Sequence, residues 1–177
     1  IPWFVAAFCS SMPTWYGGWN NTVSYKNFDL NVFFRFSGGN KIMNASRQSA
    51  LFNMDFSNNG TEILGRWVSP EQPGDGMTPK IGYGDASSLF NDGYTDSHFV
   101  ESGNYLKLST LALGYTLPKA VVSKLNMTKI RFYVQGQNLL TITGYSGLDP
   151  ETNSRLGVDW NGMPQQRSFT FGANITF

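Results

Sequence analysis

Apolar and polar residues alternate with a period of two along five stretches of this chain, the signature of strands whose two faces meet different surroundings. The cleanest is residues 28–37. Phe28, Leu30, Val32, Phe34 and Phe36 share one parity and Asp29, Asn31, Arg35 and Ser37 the other, interrupted only by Phe33. Residues 19–25 set Trp19, Val23 and Tyr25 against Asn20, Thr22 and Ser24, and Lys26 with Asn27 then forms a tight hairpin connection. Residues 105–117 oppose Leu111, Leu113, Tyr115 and Leu117 to Thr110, Ala112, Gly114 and Thr116, but Leu106 and Leu108 fall out of phase. A β-bulge or a segment packed on both sides accounts for that break. Residues 130–137 place Ile130, Phe132 and Val134 opposite Arg131, Tyr133, Gln135 and Gln137. Residues 167–177 alternate strictly, with Arg167, Phe169, Phe171, Ala173, Ile175 and Phe177 on one parity.

The connections sort by length. Lys26–Asn27 and residues 118–129 are short, whereas residues 38–104 and 139–166 are long. Antiparallel strands then put every short turn at one end of the sheet and every long loop at the other. A sandwich has no reason to do this, but outer-membrane barrels pair short periplasmic turns with long extracellular loops. Tyr25, Phe28, Tyr115 and Phe177 fall at the short-turn end in the apolar phase, where an interfacial girdle belongs. Arg167 is the one charge in the apolar phase of the last strand. At ~3.3 Å per residue and a ~45° tilt it lies about 23 Å above Phe177, at the headgroup edge of an apolar band ~25 Å tall.

Composition narrows the alternatives. Charged residues make up 14 % of the chain, aromatics 15 %, and glycine occurs 19 times, which favours an all-β protein poor in solubilising charge. A net charge of +1 offers no footprint for nucleic acid. One cysteine and one histidine exclude an intrachain disulfide and a multi-histidine or conventional zinc site. No catalytic constellation surrounds His98, so no enzyme activity and no cofactor are expected.

Five strands leave two unpaired edges, and each unsatisfied backbone group costs several kcal/mol in hydrocarbon. The expected fold is therefore an antiparallel transmembrane β-barrel segment completed by other strands. Its polar phase, with Asp29, Asn31, Arg35, Arg131, Tyr133, Gln135 and Gln137, would face a wide or plugged lumen.

The stretches "GGWNNTVSYKNFDLNVFF", "GNYLKLSTLALGYTLP", "KIRFYVQGQNLLTITGYSGLDPE" and "QQRSFTFGANITF" resemble, in order and spacing, the C-terminal end of SusC-type, RagA-like TonB-dependent outer-membrane transporters of Bacteroidetes. The resemblance covers residues 13–177. Residues 1–12 stand outside it, as an atypical N-terminal segment or an extracellular loop. It implies about five C-terminal strands of a 22-stranded barrel in the bacterial outer membrane. The remaining strands and an N-terminal plug would come from the same gene product or another chain. It also implies import of oligosaccharides or peptides, energised through TonB and served by a SusD-like lipoprotein. Phe169, Phe171, Ile175 and Phe177 resemble the aromatic signal that the outer-membrane insertion machinery reads.

Two loop groups carry possible ligand chemistry. Trp67, Tyr83, Phe90 and Tyr94 suit sugar stacking or contact with a lid, though loop aromatics more often pin a loop to itself. Asp149, Glu151 and Asp159 offer oxygens for calcium, though the Asp-Pro pair is more simply a turn initiator. Parity by itself also permits a secreted glycan-binding β-sandwich or adhesin, and a passive porin-like barrel.

Overall fold

The computed structural model describes residues 10–52, 58–78, 80, 97–151 and 157–177. In chain order its strands are β1 (Trp15–Tyr25), β2 (Phe28–Gly38), β3 (Lys41–Asn44), β4 (Val100–Ser102), β5 (Tyr105–Thr116), β6 (Lys129–Thr143), β7 (Val158–Asp159) and β8 (Ser168–Thr176). They form two sheets, one of order β1-β2-β5-β6-β8 and one of order β4-β3-β7. The chain divides accordingly into two units. One comprises Pro13–Asn40, Gly103–Gly144 and Pro164–Phe177, the other the described parts of Ile1–Met12, Lys41–Ser102 and Tyr145–Met163.

Every neighbouring pair in the five-stranded sheet is antiparallel. Lys26, in the left-handed region at φ 54°, closes the turn between β1 and β2. Between β5 and β6 the short connection contains a one-turn helix, Lys119–Val122, and a reversal at Asn126, φ 54°. Val122 and Ile130 are buried at this end.

Register decides the phase break in the third stretch. Pairing of β2 with β5 runs without a slip from Phe28↔Tyr115 to Phe33↔Thr110, then steps to Phe34↔Leu108, so Ser109 is an extra residue in β5. On its other side β5 pairs Thr110 with Gln137 and Leu108 with Leu140, which leaves Asn138 and Leu139 in a matching irregularity with Asn138 at φ 53°. The bulge returns Leu106 and Leu108 to the face of Leu111, Leu113 and Tyr115. The same irregularity conceals the upper half of β6, which continues to Thr143 rather than ending near Gln137. The second long connection therefore begins at Gly144, not at residue 139. Likewise β1 begins at Trp15, four residues before the alternation expected from 19–25, because Gly17 and Gly18 blank the pattern there.

The result is a sheet with one apolar face fed by all five strands. Cross-strand rows such as Val23–Leu30–Leu113–Val134–Phe171 run straight across it. Trp19 stacks on Phe34 with ring centres 5.7 Å apart, and Phe28 lies 4.7 Å from Tyr115. Many of these side chains are bare: Trp19 is 56 % exposed, Phe169 65 % and Phe171 78 %. A β-sandwich would have buried them.

The second unit has a small core of its own. β3 pairs antiparallel with β4 and parallel with β7, and Ile42, Ala45, Phe99 and Tyr145 are buried. Helix α1 (Ala45–Phe52) follows β3 directly, and the Asn44 side chain caps it by accepting the Arg47 N–H at 2.9 Å. Residues 65–78 close into a loop through Asp75 N–H to Gly65 O (2.8 Å) and Trp67 N–H to Thr78 O (2.9 Å).

Candidate functional site

Opposite the apolar face, the same strands assemble a polar wall. Cross-strand rows read Asp29–Gly114–Tyr133–Gly172, Asn31–Ala112–Gln135–Thr170, Phe33–Thr110–Gln137–Ser168 and Arg35–Lys107–Thr141. All seven polar positions singled out from the sequence, Asp29, Asn31, Arg35, Arg131, Tyr133, Gln135 and Gln137, lie on this one face.

The wall is cross-braced. Arg131 donates Nε–H to Asp29 Oδ1 at 3.0 Å and Nη2–H to Asp29 Oδ2 at 2.5 Å, a bidentate pair that spans two strand spacings. It passes directly over Gly114, where any Cβ would collide with both the guanidinium and the carboxylate. A side chain there would have to push the ion pair aside. The guanidinium of Arg131 also sits 5.3 Å from the centre of the Tyr133 ring, and that ring covers Gly172 on the next strand in the same way. Nearer β1, Asn31 Nδ2 donates to Asn20 Oδ1 at 2.8 Å and to Thr22 Oγ1 at 2.9 Å. Ser168 Oγ–H donates to Gln137 Oε1 at 3.3 Å.

The bulge adds two residues to the polar wall that parity misses. Ser109 accepts the Arg35 Nε–H at 2.9 Å, and Lys107, which by simple alternation would share the apolar face, pairs with Arg35 on the polar one and is buried. The out-of-phase leucines at 106 and 108 were the available signal: if both are apolar-facing, the lysine between them is not.

Loop candidates divide. Trp67 is 36 % exposed, with the Lys80 ammonium 5.9 Å from its ring centre, so its indole is partly engaged by its own loop. Tyr83, Phe90 and Tyr94 lie outside the described residues. Asp159 is buried, and its carboxylate accepts Tyr145 O–H at 2.6 Å and the N–H groups of Asn161 and Gly162 at 3.0 and 3.3 Å. Burial, with the hydrogen bond to Asp159, pushes the Tyr145 phenol well above the ordinary tyrosine range. Asp149 accepts the Glu151 N–H at 3.0 Å. Among the described residues no three His, Cys, Asp or Glu side chains group as metal ligands.

Glu101 is the hub of a second network in this unit. Its carboxylate accepts Ser146 N–H and Oγ–H, each at 2.7 Å, and Asn44 Nδ2–H at 3.2 Å. Arg47 reaches Glu101 at 3.5 Å and forks onto Glu62 at 2.9–3.2 Å; its hydrogen bonds to the Glu62 carboxylate hold the guanidinium above its ordinary pKa. These contacts tie α1 to β4 and to the chain after β6.

No protein-family model matches the chain. Individual relatives do. It is 33 % identical over 170 residues to the TonB-dependent receptor P3 of Formosa agariphila, an alignment covering 90 % of this chain and 16 % of that protein. It is 26 % identical over 176 residues to the TonB-dependent receptor SusC of Bacteroides thetaiotaomicron, covering 90 % of this chain and 15 % of SusC. Among solved structures, the RagAB peptide transporter superimposes with a TM-score of 0.80 and 26 % identity over 96 % of this chain and 18 % of that one. The chain thus spans about a sixth of the length of the curated relatives it matches.

Proposed function

Because the chain is homologous to a segment of the TonB-dependent receptors, of the SusC and RagA kind, that reside in the outer membrane, we propose that it forms part of the wall of an active importer. In this reading the apolar face meets lipid, and the polar wall of Asp29, Asn31, Arg35, Lys107, Arg131, Tyr133, Gln135 and Gln137 lines the interior, held rigid by its own cross-braces while a plug moves within. The observation that supports it most is the division of faces: five strands expose large apolar side chains on one side and a mainly polar surface, broken by Phe33 and Ala112, on the other. That arrangement is stable only with hydrocarbon outside and water or protein inside.

The importer is energised through TonB, works with a SusD-like lipoprotein lid, and carries oligosaccharides or peptides to the periplasm without covalent chemistry. The open edges of β1 and β8 pair with the rest of the barrel. Trp67, Tyr83, Phe90 and Tyr94 are the loop aromatics offered to substrate or lid. Phe169, Phe171 and Ile175 on β8, with Phe177 after it, serve as the strand that the insertion machinery engages.

Spin labels in the full receptor test the premise. Labels at Leu30, Val32 and Phe171 should be relaxed by dissolved oxygen, and labels at Asn31, Gln135 and Thr170 by a water-soluble paramagnet. Water contact at the first three overturns the reading. Uptake of labelled oligosaccharide or peptide that persists after TonB is deleted would demote the importer to a passive pore.

A further inference from the structure

The short-turn end of the five-stranded sheet finishes in a row of four aromatics. Tyr25, Phe28, Tyr115 and Phe132 stand opposite one another across β1, β2, β5 and β6 on the apolar face, and Tyr25, Phe28 and Phe132 are half or more exposed. Aromatic side chains collect in such belts where hydrocarbon gives way to water.

Three exposed lysines lie in the two short connections beyond that row: Lys26, Lys119 and Lys124. Backbone bonds hold both connections on one rim. Thr116 N–H donates to Asn27 O at 2.8 Å, Leu117 N–H to Ile130 O at 2.9 Å and Thr128 N–H to Thr176 O at 2.8 Å. The Lys26 ammonium is 5.3 Å from the centre of the Tyr25 ring, which places that charge at the aromatic row itself. A fourth exposed lysine, Lys129, shares the rim but has the parity of Arg131 and Tyr133, and so belongs to the polar wall.

Within the sheet unit no acid answers the rim. That unit holds eight of the chain's 13 lysines and arginines and one of its 12 acids, Asp29, which Arg131 already engages. Cations at the lip of an apolar surface complement a layer of anions at the same depth. Long lysine stems let the ammonium groups reach that layer from beside the aromatic row.

We propose that this rim binds the phosphate headgroups of anionic glycerophospholipids in the periplasmic leaflet, with Lys26, Lys119 and Lys124 as the cations and the aromatic row as the shelf for the first acyl carbons. The proposal rests on the reading that the apolar face meets lipid, and adds a headgroup preference which that reading does not require. A zwitterionic lipid also carries a cation, which the lysines repel.

The test uses the full-length receptor in bilayers that contain equal mole fractions of photoactivatable phosphatidylglycerol or phosphatidylcholine, each with a diazirine near the top of one acyl chain. Cross-links are mapped by mass spectrometry. Phosphatidylglycerol should label residues 115–129 severalfold more than phosphatidylcholine, and the triple variant Lys26→Gln, Lys119→Gln, Lys124→Gln should erase the preference. Lys129→Gln should keep it, as should replacement of the three by arginine. Raising the salt from about 0.1 M to about 1 M, which shortens the screening length from ~10 Å to ~3 Å, should shrink it. Excess glycerol 3-phosphate should not compete, because the headgroup is presented by the bilayer. Heat-dependent gel mobility identical to wild type shows that the variants keep the barrel; if the triple variant loses it, Lys119→Gln with Lys124→Gln should still reduce the preference. Equal labelling by the two lipids, as a soluble acidic partner in place of lipid would give, overturns the proposal. So do a preference that survives the triple variant, an equal loss with K129Q, or displacement by glycerol 3-phosphate. A spin label at Leu30 separates the two readings: oxygen contact there with equal lipid labelling refutes the rim alone, and water contact there refutes the lipid-facing premise.

Discussion

The two units of this chain solve the same problem, keeping backbone polar groups paired, by different means. The five-stranded sheet has almost no interior. Its large side chains point outward on one face, and its order comes from ladder hydrogen bonds and a shared register. The loop-derived unit has a conventional small core around Ile42 and Phe99, and it holds irregular backbone in place with buried or half-buried polar hubs at Glu101 and Asp159. A sheet in hydrocarbon needs only the right parity, because the solvent itself accepts the apolar face. Loops in water need particular partners at particular places, since their backbone groups have no ladder to join.

That contrast predicts which substitutions hurt and where. The largest effect should come from Leu113→Arg, in the middle of the apolar face, which costs roughly 2–4 kcal/mol near the bilayer midplane. The full receptor should lose its heat-dependent gel mobility at lower temperature or urea concentration. Met163→Arg in the loop unit, where the side chain is 81 % exposed to begin with, should leave the melt unchanged. Equal sensitivity at the two sites would erase the distinction between the units.

Next in size is Glu101→Ala, which removes the acceptor shared by the exposed Ser146 and the buried Asn44 amide; Asn44 keeps Ser146 Oγ at 3.1 Å, so the loss should be about 0.5–1.5 kcal/mol. Protease nicking within residues 41–102 should accelerate while barrel mobility stays normal; a change in the barrel melt would mean that the units are not separable in stability. On the polar wall, the Asp29–Arg131 pair is partly open to solvent, with side chains 32 % and 23 % exposed, so a double-mutant cycle with Asp29→Asn and Arg131→Gln should give a coupling of only about 0.2–1 kcal/mol. Gly114→Ala should reproduce the loss by pushing the pair apart. A coupling of several kcal/mol would show that the wall depends on one ion pair more than on its ladder.

The smallest effect is a local pH response. N–H groups of Thr78 and Met77, with the Thr78 hydroxyl, lower the Asp75 pKa below its ordinary 3.8. A carboxyl that ionises more readily folded than unfolded stabilises its turn fully above the ordinary value, and the benefit fades as pH falls through the lowered one. Amide exchange at Met77 and Thr78 should therefore quicken below about pH 4, relative to Asp75→Asn, while exchange in β2 and β5 stays flat.

Much of this division is readable in the residues. Phe28, Leu30, Val32 and Phe34 against Asp29, Asn31 and Arg35 state which way each side chain of β2 points, because a period of two admits only two faces. Ser109 is different. Nothing local distinguishes a bulge there from a segment packed on both sides, and the answer required knowing that Leu108 sits opposite Phe34 and Leu140. Lys107 and the upper half of β6 changed their meaning with it. Glu101, Ser146 and Asn44 are separated by up to 102 positions along the chain, and no pattern of spacing announces that they will meet.

The five strands of the large sheet, its two-faced character and the ends at which its turns and loops fall were determined by sequence alone, because alternation is a local property of backbone geometry and needs no partner to be expressed; the short strands β3, β4 and β7 carry no such alternation. The register slip at Ser109, the bracing of Arg131 over Gly114 and the hub at Glu101 were decided only by tertiary structure, because each depends on which distant residues are brought opposite one another when separate strands and loops come together.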